Sequence, residues 1–221
     1  MSNESLIVMT NKEFIFFEHA RASAFNMLTA LLCQPEEQVV EESAPFDTLR
    51  SALEIVYPDG TPCVDRLQAA LQQYTFQELL VEYTRLFIGP FKTPVSPYSS
   101  LYFGTDRVMD DTTLWVMECY KKAGLEFNYD IKDVPDHITV ETEFMYYLIH
   151  SEIKELDAGR QEAARACWEN QQEFFGQHYR KWVPQFCAKI AAETKNVYFK
   201  TLSTCVKSFI DSVEIPPFPT E

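Results

Sequence analysis

The chain has 221 residues, of which 46% are hydrophobic, and a formal net charge of −14. The length suits one domain or two small ones, and a single helical domain spanning residues 1–221 is the simpler interpretation. The acidity argues against a nucleic-acid partner or an anionic membrane, because the long-range field of the protein repels phosphates. The sequence contains no run of about 18 uncharged apolar residues, so no membrane span is predicted. The opening residues 1–4 lack the features of a secretory signal, and we therefore expect a cytoplasmic protein.

The six cysteines are spread along the chain without a Cys-x-x-Cys pair. Most of them fall at apolar positions of predicted helices. We interpret them as buried free thiols in a reducing compartment, and neither as a disulfide framework nor as a zinc site.

The first part of the chain predicts three helices. Thr10 and Glu13 have the spacing of a capping box, and apolar residues at helical intervals follow, which predicts an amphipathic helix over residues 11–33. Gln34-Pro35 ends that helix. Shorter helices are expected over 46–57 and 63–73, separated by a cluster of turn-forming residues.

A second capping box, Thr75 with Glu78, begins the most regular helix of the chain, which Gly89-Pro90 ends. Residues 89–108 then form a connector rich in proline and aromatic residues, without helical or strand periodicity. A connector of this length inside a compact domain is usually functional or disordered. Its aromatic content argues against disorder.

Further helices are predicted over 110–123, 136–157, 160–182 and 196–213, with Gly159 and Pro184 as breaks. No segment alternates with period two. The predicted fold is therefore all-α, a single globular helical domain with about eight to ten helices.

Three segments of the sequence carry a family resemblance. They are residues 82–90 with Tyr83-x-x-Leu86-Phe87, residues 96–102 with Pro97-Tyr98, and residues 135–145 with Asp136-His137. Together they closely resemble the TorD/DmsD family of redox-enzyme maturation chaperones. The resemblance implies an all-helical cytoplasmic protein that binds the twin-arginine signal peptide of a molybdenum-cofactor oxidoreductase precursor, and holds back its export until the cofactor is in place.

The resemblance also implies a pocket for that peptide. The candidate peptide-binding residues are Tyr83, Leu86, Phe87, Pro97, Tyr98, Asp136, His137 and Glu141. Several of these residues also have a structural interpretation that involves no ligand: Leu86 and Phe87 as core residues, Asp136 as a helix N-cap, and Pro97-Tyr98 as a rigid turn. Glu141 and Glu152 share an apolar helix stripe, so each must be paired, hydrogen-bonded or protonated.

Two other functions compete with peptide binding. Asp136, His137 and Glu141 could serve a small helical hydrolase as acid–base groups, but no motif places a nucleophile beside them. The second alternative is a structural partner-binding module without a groove. His137 and Glu141 lie one helical turn apart, yet no third metal ligand is foreseeable, and no glycine-rich phosphate loop occurs, so we expect neither a metal nor a cofactor. The sequence does not identify which oxidoreductase precursor is the client of the chaperone, and a homodimer is possible.

Overall fold

A computed structural model of the chain describes residues 9–37, 44–89, 93–104, 110–126 and 134–219. Within these ranges it has nine α-helices and no β-strand, which confirms the all-α class. The helices are α1 Asn11–Leu32, α2 Ala44–Val56, α3 Thr61–Leu71, α4 Phe76–Tyr83, α5 Asp111–Lys122, α6 Ile138–Asp157, α7 Gln161–Phe174, α8 Arg180–Glu193 and α9 Val197–Ser212. None of the helices in these ranges is long and apolar enough to cross a membrane.

Both capping boxes are confirmed. The Thr10 hydroxyl accepts the Glu13 backbone N–H at 3.3 Å, and the Glu13 carboxylate accepts the Thr10 backbone N–H at 2.9 Å. Thr75 and Glu78 repeat this exchange at 3.3 and 2.8 Å. Each box satisfies two backbone donors that a helix start leaves without a partner, which is why α1 and α4 begin where the sequence predicts.

The prediction that Pro184 breaks the helix is wrong. Pro184 lies inside α8, and α7 continues into α8 through one π-turn, Phe175–Tyr179. A proline in a helix interior costs about 3 kcal/mol. Three large α8 side chains around it, Trp182, Val183 and Phe186, are 0 to 1% exposed, and each such burial stabilises the fold by about 1.5–3 kcal/mol. Packing therefore outweighs the local preference.

The apolar core joins the N-terminal and C-terminal helices. The Phe25 ring of α1 contacts Phe175, Tyr179 and Phe209, with ring centroids 5.4 to 6.3 Å apart. Helix α1 also packs on α2 and α6, and α9 packs on α3 and α8. The end of α1 and the start of α6, two helices that pack on each other, both contribute to the candidate site.

The interpretation of all six cysteines as buried free thiols is wrong, because two of them are bonded to each other and Cys33 is exposed. Cys63 of α3 and Cys205 of α9 form a disulfide, with Cα atoms 5.6 Å apart. The two residues are separated by 142 positions, and only the packing of α9 on α3 brings them together. Spacing along the sequence could not reveal this pair.

Four polar side chains form a cluster between α1, α6 and α7 that is almost completely buried: Glu18, Arg21, Glu152 and Gln171. The Arg21 guanidinium donates to Glu18 at 3.0 Å and to the Gln171 side chain, which in turn donates to Glu152. Burial, and secondarily the charge of Glu18, raise the pKa of Glu152 to about 8. The hydrogen bond from Gln171 confirms that the glutamate in the apolar stripe has a partner, and the raised pKa favours its protonated form near neutral pH.

This proton makes the stability of the fold depend on pH. The unfolded chain releases the Glu152 proton near pH 4.5, whereas the folded chain keeps it up to about pH 8. Folding takes up a proton between these values, so Glu152 lowers the free energy of unfolding as pH rises through this window, by at most about 1.4 kcal/mol per pH unit.

We expect Glu152→Gln to remove that dependence, because the amide is neutral at every pH and can donate to Glu18. The stability of the variant relative to the wild type should then increase from pH 5 to pH 8 in urea denaturation. A difference that stays constant over this range would show that Glu152 is ionised in the folded protein.

Candidate functional site

The connector is fastened to the start of α6 by a short antiparallel bridge between Tyr98 and His137. The Ile138 N–H donates to the Pro97 carbonyl at 2.8 Å, and the Ser99 N–H donates to the Asp136 carbonyl at 2.9 Å. Two segments almost forty residues apart in sequence are thereby held in one register. Their side chains can form a common wall.

The Asp136 side chain adds a hydrogen bond to this bridge. It is 0% exposed, and one carboxylate oxygen accepts the Ser100 backbone N–H at 3.0 Å. The interpretation of Asp136 as the N-cap of α6 is wrong, because the helix begins at Ile138 and its N-cap is His137. Asp136 thus holds the connector and is out of reach of a ligand on the surface.

His137 performs the capping and also faces the cavity. Its Nδ1 accepts the Thr139 backbone N–H at 3.3 Å and lies 2.7 Å from the Thr139 hydroxyl. The imidazole lies against the Tyr98 ring, with centroids 5.4 Å apart. A local cap therefore sets the orientation of a ring at the site.

Helix α4 provides the opposite wall. It ends in a π-turn, Thr84–Ile88, closed by the Gly89 N–H donating to the Thr84 carbonyl at 2.7 Å. Such turns often mark functional sites. The Tyr83 ring, 8% exposed, packs on half-buried Phe87 with centroids 4.9 Å apart, whereas Leu86 is fully buried in the core.

Between these walls lies a cavity of about 430 Å³, which we call the first cavity. Five of the eight predicted residues line it: Tyr83, Phe87, Pro97, Tyr98 and His137. Its walls combine apolar surface with hydroxyl and amide groups. This mixture suits a peptide segment with an apolar face.

Sequence reasoning missed the other lining residues, which are Cys33, Gln34, Ile88, Thr93 and Thr139. Ile88 directly follows the predicted Phe87, Thr139 lies two positions after the predicted His137, and Ile88 is 53% exposed. Cys33 and Gln34 directly follow α1 and lie about fifty positions before Tyr83 in the chain. Their only signal was the helix stop at Gln34-Pro35.

Glu141 lies elsewhere. It is 0% exposed and accepts hydrogen bonds from His178 Nε2 at 2.9 Å and from the Trp182 indole N–H at 2.7 Å. Burial raises the pKa of Glu141, and His178 offsets part of that rise. Its partners are on the π-turn before α8 and on α8 itself, so the structure does not bring Glu141 to the first cavity.

The acid–base arrangement of a hydrolase is not assembled. Asp136 is engaged by Ser100, and His137 by its own helix start, while Glu141 is paired with His178. In the described part of the chain no group of three or more His, Cys, Asp or Glu side chains could hold a metal ion.

Substitutions of Asp136 test whether this residue only supports the site or also contacts a ligand. We expect Asp136→Ala to reduce the free energy of unfolding by about 1–3 kcal/mol, because it leaves the Ser100 N–H buried without an acceptor. Asp136→Asn keeps an acceptor and should cost less. Urea denaturation measures both effects, and a loss of ligand affinity in Asp136→Asn at unchanged stability would contradict a purely supporting role.

The fold and the site together define an all-helical protein with an aromatic-walled cavity at its surface. The sequence profile of the nitrate reductase delta subunit family matches residues 58–188, more than half of the chain. The chain is 26% identical to a chaperone protein TorD from Vibrio atlanticus (strain LGP32), over 87% of this chain and 92% of that protein. It is also 24% identical to a perchlorate reductase assembly chaperone protein from Dechloromonas aromatica (strain RCB), over 87% and 88% of the two chains.

Among solved structures, a redox enzyme maturation protein from Archaeoglobus fulgidus shares the fold, with a TM-score of 0.53 and 22% identity over 95% of this chain and 99% of the other. The chain belongs to the TorD/DmsD family of redox-enzyme maturation chaperones. It is accordingly a chaperone of redox-enzyme maturation and not a catalyst.

Proposed function

We propose that this protein is a cytoplasmic chaperone that binds the twin-arginine signal peptide of a molybdenum-cofactor oxidoreductase precursor in the first cavity. The observation that carries the proposal is the cavity itself. It has a volume of about 430 Å³, and it is lined by Tyr83 and Phe87 on one side and by Tyr98 and His137 on the other. The alternative function, a structural partner-binding module without a groove, does not account for this cavity. The names of the relatives, TorD and a perchlorate reductase assembly chaperone, support an oxidoreductase as the client.

Apolar contacts supply most of the affinity in this proposal. Burial of a leucine or phenylalanine side chain from the peptide stabilises a complex by about 1.5–3 kcal/mol, whereas an exposed ion pair contributes about 0–1 kcal/mol. Among the described lining residues of the first cavity there is no Asp, Glu, Lys or Arg. The apolar stretch of the leader therefore lies in the cavity.

Charge then acts at longer range. The net charge of −14 attracts the arginines of the leader and disfavours anionic competitors. Salt screens this attraction but leaves apolar burial almost unchanged. The two contributions can for this reason be separated by ionic strength.

Titration calorimetry with a purified twin-arginine leader peptide tests the proposal. Tyr83→Ala should weaken binding at both low and high salt, because it removes apolar wall area. Ile88→Ser should do the same with little effect on stability, since Ile88 is 53% exposed. Raising the salt concentration should weaken binding by a similar factor in all proteins.

Val81→Ser is the matched control, because Val81 lies on the same helix, is 59% exposed and does not line the cavity. It should bind like the wild type. Equal affinity of the wild type, Tyr83→Ala and Ile88→Ser would mean that the leader does not use this cavity.

A further inference from the structure

A second cavity, of about 250 Å³, lies beside the first. Most of its lining is apolar: Ala30, Leu31, Phe46, Leu71, Leu79 and Tyr198. Leu31, Phe46 and Leu79 are 5% exposed or less and belong to the core, whereas Ala30 is exposed at the mouth. None of the eight residues predicted from the sequence lines this second cavity.

The two cavities adjoin each other. Cys33 and Gln34, at the end of α1, line both of them. Helix α4 forms a common floor, with Leu79 in the second cavity and Tyr83 and Phe87 in the first. We call the two cavities the first and second lobes, with the end of α1 lying between them.

The chemistry of the second lobe favours an apolar side chain that belongs to a cationic ligand. Neither lobe has a lysine or arginine among its described lining residues, and Glu36 is the one charged residue in those of the second. An apolar occupant is stabilised by burial against Leu31, Phe46 and Leu79. Basic residues that flank it meet no like charge from the described lining.

We propose that the second cavity holds an apolar side chain of the same peptide that occupies the first, so that recognition has two anchor points. The inference rests on the proposed function and adds where the second anchor binds. Leu79 and Phe87 are eight positions apart, which corresponds to roughly 12 Å along a helix axis. An extended peptide covers this distance in about four residues, and the two anchors should be separated by about that number.

Substitutions of Ala30 test the second anchor. Ala30→Trp fills the lobe from its exposed mouth, and Ala30→Glu places a charge there. Both should weaken leader binding in calorimetry by about tenfold or more, because the buried apolar side chain is excluded or left beside a carboxylate. Ala166→Trp and Ala166→Glu, at an exposed position of α7 that lines neither cavity, are the matched controls and should bind like the wild type.

The outcomes separate this inference from the proposed function. If Ile88→Ser weakens binding and both Ala30 variants bind like the wild type, the second anchor is refuted and the first cavity stands. Tighter binding by Ala30→Glu would show that the second cavity takes an arginine, which also overturns the inference. If the leader does not bind the wild type at all, the proposed function itself has failed.

A serine scan of the leader, made with the wild type and with Ala30→Trp, provides a second test. Two apolar positions about four residues apart should each weaken binding when replaced by serine. With Ala30→Trp, the serine substitution at one of these positions should lose its effect, because its pocket is already filled. A single sensitive position, or full sensitivity of both in Ala30→Trp, would contradict two-point recognition.

Discussion

The candidate site depends on the backbone bridge between the connector and the start of α6. Two main-chain hydrogen bonds, Ile138 to Pro97 and Ser99 to Asp136, set the register, and the buried Asp136 carboxylate adds a third by accepting the Ser100 N–H. A loop rich in proline and aromatic residues would otherwise lose much conformational entropy when it grips a ligand. Here that entropy is lost on folding, so the aromatic wall is in place before any ligand binds.

The local parts of this architecture could be predicted from the sequence. The capping boxes at Thr10 and Thr75 are determined by residues three positions apart, and a 3.6-residue apolar period identifies the faces that α1 and α4 bury. Pairs of neighbours such as Pro97-Tyr98 carried the family resemblance. Where only short-range interactions decide, as at these helix starts, the predicted and observed structures coincide.

The rest depends on contacts that are distant in sequence. The periodicity required a partner for Glu141 but could not name His178, 37 positions later, since that contact follows from how α6 packs on the π-turn before α8. The disulfide of Cys63 and the contribution of Cys33 to the first cavity have the same origin in helix packing. Pro184 shows the opposite case, in which tertiary burial overrides a strong local signal.

Amide hydrogen exchange, measured by NMR on the free protein, tests the central claim most directly. The claim is that the bridge exists without a ligand and forms the aromatic wall in advance. The amides of Ser99, Ser100 and Ile138 should then exchange much more slowly than in an unstructured peptide, and a bound leader should change their protection little. Exchange of these three amides at unstructured rates in the free protein, with protection only after a leader is added, would contradict a preformed site.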